Sequence, residues 1–192
     1  MMLSSSLVML AGPPSIATRT FAAAADHAEH PTYELAVDDS ALVLMPCPGT
    51  KGADLQSSLE QLQGQGVQAI LTLLSTEELE GKNVGTLGTI AEELGIKWFH
   101  LPISDDESPG EDFAAGWATA SPILHDIMDN GGKVAVHCMG GSGRTGIGAA
   151  HLLLEKGWDL PKIIEQVQAL RPGAFKKPDQ IAYVESLAFQ ML

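Results

Sequence analysis

The chain has 192 residues, 45% of them hydrophobic, and a formal net charge of −13, which is typical of one globular domain with a substantial core. Only 11 Lys and Arg residues stand against 24 Asp and Glu residues. This balance argues against a nucleic-acid or membrane partner, because both surfaces attract clustered cations. Two cysteines, Cys47 and Cys138, are too few for a disulfide framework and indicate a reducing, cytoplasmic location.

Residues 1–30 differ in composition from the rest of the chain. No positive charge precedes their short apolar patch, Leu7 to Ala11, although a secretory signal carries one there. The patch is also far shorter than the roughly 20 residues of a membrane span. We therefore predict a poorly ordered extension over residues 1–30 and one folded domain over 31–192. The alternative is an exported protein with residues 1–25 as its signal.

In the first half of this domain, short apolar runs alternate with helical patterns. Strands are predicted, in chain order, at residues 33–37, 41–45, 67–74 and 96–101. Helices are predicted between them from Asp54 to Gln63, from Ser75 onward and from Gly85 to Leu94. Ser75 and Glu78 have the spacing of a capping box, in which each side chain bonds the other residue's backbone N–H.

In the second half, one strand from Lys133 to His137 lies among four predicted helices. These helices are expected at residues 109–129, 144–156, 160–170 and 178–190. Ser108 is the expected N-cap of the first, with Pro109 at its first position, and Pro122 is expected to kink it. Strands joined by helices predict an α/β domain with a mainly parallel central sheet flanked by helices.

The segment from His137 to Gly146 reads HCMGGSGRTG and joins the last predicted strand to a helix. Its glycines allow a ring of backbone N–H groups at a helix N-terminus, which is a site for an anion. Neither a Gly-Lys-Ser/Thr pair nor Gly-x-Gly-x-x-Gly is present, which disfavours those nucleotide loops. A thiolate at Cys138 is stabilised by the helix N-terminus and by Arg144, whose planar fork binds two phosphate oxygens. One loop can therefore hold a phosphate and attack it.

This segment resembles the His-Cys-x5-Arg-Ser/Thr signature of the cysteine-dependent protein tyrosine and dual-specificity phosphatases. The resemblance implies that Cys138 forms a cysteinyl-phosphate and that Thr145 bonds the thiolate as it leaves. His137 would support the loop, and no metal or other cofactor is implied. The phosphate would lie on the Arg144 side chain and on the backbone amides of Met139, Gly140, Gly141, Ser142, Gly143 and Arg144.

This mechanism also needs a carboxylic acid that protonates the leaving group. In the family, the acid lies upstream of the cysteine, often after a strand that ends in Pro-Ile. Here the residues after Pro102-Ile103 include Asp105 and Asp106. Asp105 matches the family position best, and Asp106 is the alternative.

Within the family, the chain is most similar to the kinase-associated phosphatase group, from about Leu44 to the C-terminus. Tyrosine phosphatases place the hydrolytic water with two glutamines near the last helix, and only Gln180 matches. Gln180 is therefore either a supporting residue or an ordinary helix-surface residue. Cys47 is either a packed cysteine or the partner of Cys138 in a reversible disulfide.

We thus predict a phosphomonoester hydrolase that acts on phosphotyrosine and on phosphoserine or phosphothreonine of proteins. The segment from Asp105 to Asp112 is acidic, so it should repel inositol phosphates and RNA ends and accept phosphopeptides with basic flanks. A sulfur transferase or arsenate reductase is an alternative, because both also use a cysteine on a loop. A non-catalytic phosphate-binding module is the third hypothesis.

Overall fold

The computed structural model describes residues 28–105 and 107–191. The predictions for residues 1–27 and for Asp106 lie outside these residues. His30, which the sequence assigned to the extension, is buried, and its backbone bonds the Gln61 side chain at 2.8 and 2.9 Å. Within the described part, the strands are β1 (Tyr33–Val37), β2 (Ser40–Met45), β3 (Val67–Thr72), β4 (Lys97–His100) and β5 (Lys133–His137). The helices are α1 (Leu55–Gly64), α2 (Thr76–Gly81), α3 (Leu87–Glu93), α4 (Glu111–Asp129), α5 (Gly143–Glu155), α6 (Leu160–Leu170) and α7 (Pro178–Gln190).

The strands form one five-stranded sheet in the order β1-β2-β5-β3-β4. β2, β5, β3 and β4 run parallel, and only β1 pairs antiparallel, as the first strand of the predicted hairpin. This confirms the predicted α/β fold with a mainly parallel sheet. β5 lies at the centre, so its carboxyl end opens at the edge where parallel sheets usually bind their ligands.

Alternation along the central strands fills a hydrophobic core on each face of the sheet. Leu42 and Leu44 of β2 belong to the larger core, which includes residues of α4, α5, α6 and α7. Val43 and Met45 point to the smaller core on the opposite face, together with residues of α1 and α3. Because both faces are covered, β2 is buried along its whole length, as its uninterrupted apolar sequence predicts.

The helix starts follow the predicted caps in two cases and differ in a third. The Asp54 side chain accepts from Ser57 N at 2.9 Å, and both bonds of the Ser75–Glu78 capping box are present. The prediction of Ser108 as the N-cap of α4 was wrong, because α4 begins at Glu111 after Gly110. Gly110 is extended, with φ −98° and ψ −166°, so the acidic segment before α4 is loop rather than helix.

Candidate active site

A tight loop from Cys138 to Ser142 joins β5 to α5 and forms the centre of the site. Gly141 has φ +73°, a left-handed conformation that favours glycine. A Cβ at this position would come within 2.3 Å of the Met45 carbonyl carbon at the end of β2. On the next segment, the Cys47 backbone N–H donates to Met139 O at 3.1 Å. Packing against β2 and its following turn therefore fixes the path of this loop.

The thiol of Cys138 lies at the base of the loop, just before the N-terminus of α5. The residue is 4% exposed, and Thr145 Oγ1 donates to its Sγ at 3.3 Å. A hydroxyl donor and a helix N-terminus both favour negative charge on sulfur. The structure thus brings Cys138 and Thr145 together as the motif predicts.

Arg171, which sequence analysis did not identify, holds the loop from its outer side. Its Nε donates to Gly141 O at 2.7 Å, and its Nη2 donates to Gly140 O at 2.6 Å. In a trans peptide the C=O and the next N–H point in opposite directions. Carbonyls drawn toward Arg171 therefore turn the following N–H groups away from it.

Arg144 is 3% exposed and makes a bidentate ion pair with Glu78. Its Nη1 and Nη2 donate to Glu78 Oε2 and Oε1, each at 2.9 Å. Although burial lowers the pKa of Arg144, the Glu78 bond and the charges of Cys138 and Glu78 raise it above its ordinary value. Arg144 is therefore charged at any physiological pH.

Glu78 has two functions, of which the sequence predicted only the helix cap. Its Oε2 accepts from the Ser75 backbone N–H at 2.9 Å while it also binds Arg144. Burial raises the pKa of Glu78, but the bonds from Arg144 and Ser75 outweigh it and lower the pKa overall. The capping box thus fixes an ionised carboxylate that orients the Arg144 guanidinium.

Asp105 lies beside Arg144, on the loop that follows β4. Its Oδ1 is 3.3 Å from Arg144 Nη2, and the side chain is 68% exposed. Lys177 Nζ donates to the Asp105 backbone oxygen at 2.9 Å and lies 3.9 Å from Oδ2. The structure therefore brings this predicted acid to the loop, on an exposed segment.

His137 lies beneath the loop in a chain of hydrogen bonds that ends at Cys138. Its Nδ1 is 3.2 Å from Cys138 O, and because a carbonyl only accepts, Nδ1 carries the proton. Thr72 Oγ1 donates to His137 Nε2 at 2.7 Å and accepts from Trp98 Nε1 at 2.8 Å. Burial, against the bond to Cys138, lowers the pKa of His137 to about 4. His137 is thus a neutral support of the loop at pH 7.

Gln180 is 5% exposed and faces the loop, so the alternative of a helix-surface residue was wrong. A Cβ on Gly143 would come within 2.8 Å of Gln180 Nε2, which shows how closely the two residues pack. Gln180 Oε1 has no hydrogen-bond partner among the described residues. An amide with a spare acceptor beside the loop is suited to binding water, and that function stays a prediction.

Cys47 is a buried free thiol, and Cys138 is also free. Burial, with smaller contributions from the charges of Cys138 and Glu78, raises the pKa of Cys47 to about 12. Cys47 is therefore neutral at pH 7. Its observed state is that of a packed cysteine, and its disulfide with Cys138 stays a prediction.

The fold and the loop together define the class of protein. The family model described as "Polymorphic toxin system, DSP-PTPase phosphatase" matches residues 45–158, more than half of the chain. The chain belongs to this phosphatase family. This confirms the resemblance on which the predicted activity depends.

Individual relatives agree with this family. Rat cyclin-dependent kinase inhibitor 3 is 32% identical over 117 residues, 59% of this chain and 54% of the relative. The tyrosine-protein phosphatase CDC14 of Candida albicans is 42% identical over 86 residues, 44% of this chain and 15% of the relative. The chain thus spans about half the length of the first of these curated relatives.

The fold is also found in solved structures. Kinase associated phosphatase, with serine replacing its catalytic-site cysteine, superposes with a TM-score of 0.75 at 25% identity, covering 85% of this chain and 96% of that one. Tk-PTP has a TM-score of 0.65 at 21% identity, covering 82% and 95%, and supports the fold alone. These matches agree with the expected similarity to the kinase-associated phosphatase group.

Residues 28–105 and 107–191 contain neither a metal-binding cluster nor a membrane-spanning helix. No group of three or more His, Cys, Asp or Glu side chains there could hold a metal ion. No helix of this part is long and apolar enough to cross a membrane.

Proposed function

We propose that the protein hydrolyses phosphomonoesters of phosphoproteins through a phosphocysteine intermediate, with Cys138 as nucleophile and Asp105 as general acid. The observation that carries this proposal is the convergence of three groups on one loop. The Cys138 sulfur accepts from Thr145, and the same loop leads into Arg144, whose Nη2 lies 3.3 Å from Asp105. Nucleophile, anion-binding cation and acid are the groups that this reaction needs.

The donors of Arg144 indicate how a phosphate binds. Nη1 is used by Glu78 and by Ile103 O, both at 2.9 Å, while Nη2 is shared between Glu78 and Asp105. No described residue accepts a hydrogen bond from Nε. A phosphate that replaces the Asp105 contact on Nη2 would therefore bind through Nε and Nη2, with Glu78 on the adjacent edge formed by Nη1 and Nη2.

The remaining phosphate oxygens would be bound by the backbone amides of residues 139–144, at the N-terminus of α5. Arg171 supports this function because it draws two carbonyls of the loop to the outer side. A ring of fixed N–H dipoles stabilises the charge of a transferring phosphoryl group without reorganising during the reaction.

The first step transfers the phosphoryl group to sulfur. The Cys138 thiolate forms an S–P bond while the bond between phosphorus and the ester oxygen breaks, and the Asp105 carboxyl group gives its proton to that oxygen. In the second step, water attacks phosphorus and gives its proton to the Asp105 carboxylate. The S–P bond breaks, phosphate leaves, and the Thr145 hydroxyl stabilises the returning thiolate.

Gln180 and His137 would assist without reacting. Gln180 packs against Gly143 and has a spare acceptor, so it could orient the water of the second step. The neutral His137 ring donates to Cys138 O and would keep the nucleophile in position.

The proposed substrates are phosphoproteins, with phosphotyrosine and phosphothreonine or phosphoserine as reacting groups. The relatives include a tyrosine-protein phosphatase and a kinase inhibitor, which supports protein substrates. Two free buried cysteines suit the proposed cytoplasmic location, where thiols stay reduced.

The test compares p-nitrophenyl phosphate, phosphotyrosyl and phosphothreonyl peptides, an inositol phosphate and a nucleotide, with and without EDTA. Wild type should release phosphate from the first three, and Cys138→Ser should not, although it should still bind phosphate. Complete loss with EDTA would contradict the proposed mechanism, which uses no metal. A persulfide on Cys138 without phosphate release would support a sulfur transferase, and phosphate binding without turnover would support a binding module.

Asp105→Ala tests the acid. Loss of a general acid typically costs about 10²- to 10⁴-fold in rate, and the loss should be smallest for p-nitrophenol, an acidic leaving group. Phosphothreonine leaves as an alkoxide and should lose most. If Asp106→Ala gives this pattern and Asp105→Ala does not, the acid is Asp106.

A further inference from the structure

A cleft beside the catalytic loop has a charge opposite to that of the molecule as a whole. It encloses about 270 Å³ and is lined by Gly49, Thr50, Lys51, Lys82, Met139 and Gly140. Met139 directly follows Cys138, so the Cα atom of this cleft residue lies about 4 Å from the Cα atom of the nucleophile. We define these six residues as the lysine cleft.

Both lysines of this cleft are carried by ordered backbone. Lys51 lies on a turn in which Thr50 Oγ1 donates to Cys47 O at 2.7 Å, and the turn is joined to the loop by the Cys47–Met139 bond at 3.1 Å. Lys82 is the C-cap of α2, the helix that carries Glu78. The elements that fix Arg144 and the loop therefore also fix the bases of the two lysine side chains.

Most other described cations already have a partner. Lys133 pairs with Glu34, Lys156 with Asp129, and Arg144 with Glu78. Lys51 and Lys82 are exposed, and neither makes an ion pair or side-chain hydrogen bond with a described residue. In a chain with a net charge of −13, two unpaired cations in one cleft form a local site for an anion.

A second cleft near the site has the opposite charge. It encloses about 440 Å³, and its lining includes Ser104, Glu107, Glu111 and Asp112 on the loop that carries Asp105 and at the start of α4. Acidic side chains therefore line this second cleft, as the sequence from Asp105 to Asp112 predicts. A phosphopeptide would meet acidic side chains there and the lysine cleft beside Met139.

We propose that the lysine cleft is a specificity subsite for an anionic group of the substrate, close to the hydrolysed phosphate. The group is a carboxylate side chain or a second phosphate on the same peptide, since both carry oxygens that an ammonium binds. This inference rests on the proposed phosphatase function, because the subsite acts only on a substrate held at Cys138.

The test uses one neutral phosphotyrosyl peptide in which each of the two residues on either side of phosphotyrosine is varied in turn. The varied residue is Ala, Glu, Lys or a phosphonate analogue of phosphoserine, which cannot itself be hydrolysed. At one position at least, Glu or phosphonate should raise kcat/KM about 2- to 20-fold over Ala, the range expected for one or two exposed ion pairs. The Glu and phosphonate peptides distinguish the two sources of charge.

The variants reverse the charge of the cleft. Lys51→Glu with Lys82→Glu should abolish the preference for Glu and phosphonate and create one for Lys at the same position. Lys97→Glu is the matched control, because Lys97 is also exposed but begins β4, at the end of the sheet opposite the loop. It should keep the wild-type preference. Thermal midpoints confirm that each variant is folded.

Two outcomes would overturn the subsite and leave the phosphatase function intact. One is a wild type that hydrolyses all peptides with equal kcat/KM. The other is a preference for acidic peptides that survives charge reversal. Absence of turnover on every ester, p-nitrophenyl phosphate included, would instead refute the proposed function itself. Preference for the phosphonate but not for Glu would restrict the subsite to phosphorylated partners.

Discussion

Thr72→Val removes the hydroxyl that links Trp98 to His137 beneath the catalytic loop. Valine has nearly the shape of threonine, so the cavity stays filled while two hydrogen bonds are lost, those of 2.8 Å from Trp98 Nε1 and 2.7 Å to His137 Nε2. His137 and Thr72 are fully buried, so water cannot replace the hydroxyl without a rearrangement. The variant therefore leaves one donor and one acceptor without a partner.

The expected cost follows from these two groups. A buried polar atom left without its partner costs about 1–3 kcal/mol, and Trp98 is only partly buried. We expect Thr72→Val to lower the free energy of unfolding by about 2–4 kcal/mol. Thr72→Ser keeps the hydroxyl and removes one methyl group, which should cost about 1 kcal/mol. Only Thr72→Val should also lower kcat, because His137 then holds Cys138 less firmly.

Urea unfolding of wild type and both variants at pH 7.5 measures the difference, and p-nitrophenyl phosphate hydrolysis gives kcat. Equal destabilisation by Val and Ser would refute the reasoning, because the two lost hydrogen bonds would then cost no more than one buried methyl group. A Thr72→Val protein as stable as wild type would show that the hydrogen-bond chain contributes nothing to stability.

Three further predictions concern the loop, pH and the N-terminal boundary. Arg171→Met should lower kcat/KM for p-nitrophenyl phosphate about 10- to 100-fold, since the loop loses charge-assisted bonds of about 1.5–3 kcal/mol. The kcat/KM of Arg171→Lys should fall between those of Arg171→Met and wild type, and equal values for all three proteins would contradict this. Burial lowers the pKa of His137 and His151 to about 4 in the folded state, so the unfolded chain binds protons first as the pH falls. Urea unfolding should therefore show a loss of stability of about 3 kcal/mol per histidine between about pH 6.5 and pH 4. His151→Gln should remove its share of that loss, and a pH-independent stability would refute the assignment. A chain starting at Ala28 should keep the wild-type thermal midpoint, whereas one starting at Pro31 should unfold a few degrees lower. The shorter chain loses the buried His30 and its backbone bonds to Gln61 at 2.8 and 2.9 Å. Equal midpoints would place the boundary at Pro31.

The sequence predicted the strands, most helices and the catalytic loop because their signals are local. β2 and β5 are short apolar runs bounded by turn residues, and the motif that contains the loop is ten consecutive residues, His137 to Gly146. Glycine at position 141 is required by a left-handed turn against Met45, so the motif itself carries the geometry. The caps at Asp54 and Ser75 likewise depend on residues three positions apart.

The parts that the sequence did not predict depend on partners far along the chain. Arg171 contacts the loop across 29 to 31 positions, and Glu78 reaches Arg144 across 66. No periodicity or spacing connects such pairs; only the sheet order does. The start of α4 was missed for a different reason, because Ser108-Pro109 has the residues of a cap but the extended Gly110 keeps the segment out of the helix.

The electrostatics of the site follow from which of its titratable groups are kept neutral. His137, with its pKa lowered to about 4, and Cys47, with its pKa raised to about 12, are both neutral at pH 7. The Glu78 charge is neutralised by Arg144 in a bidentate pair. A phosphate entering the loop therefore meets amide dipoles and the remaining Arg144 donors. The buried carboxylate of Glu78 repels it little, because its charge is paired with Arg144. Glu78 is held in its ion pair, whereas Asp105, the second carboxyl group beside Arg144, lies on an exposed segment. A side chain placed there can give a proton to the leaving group and take one from water.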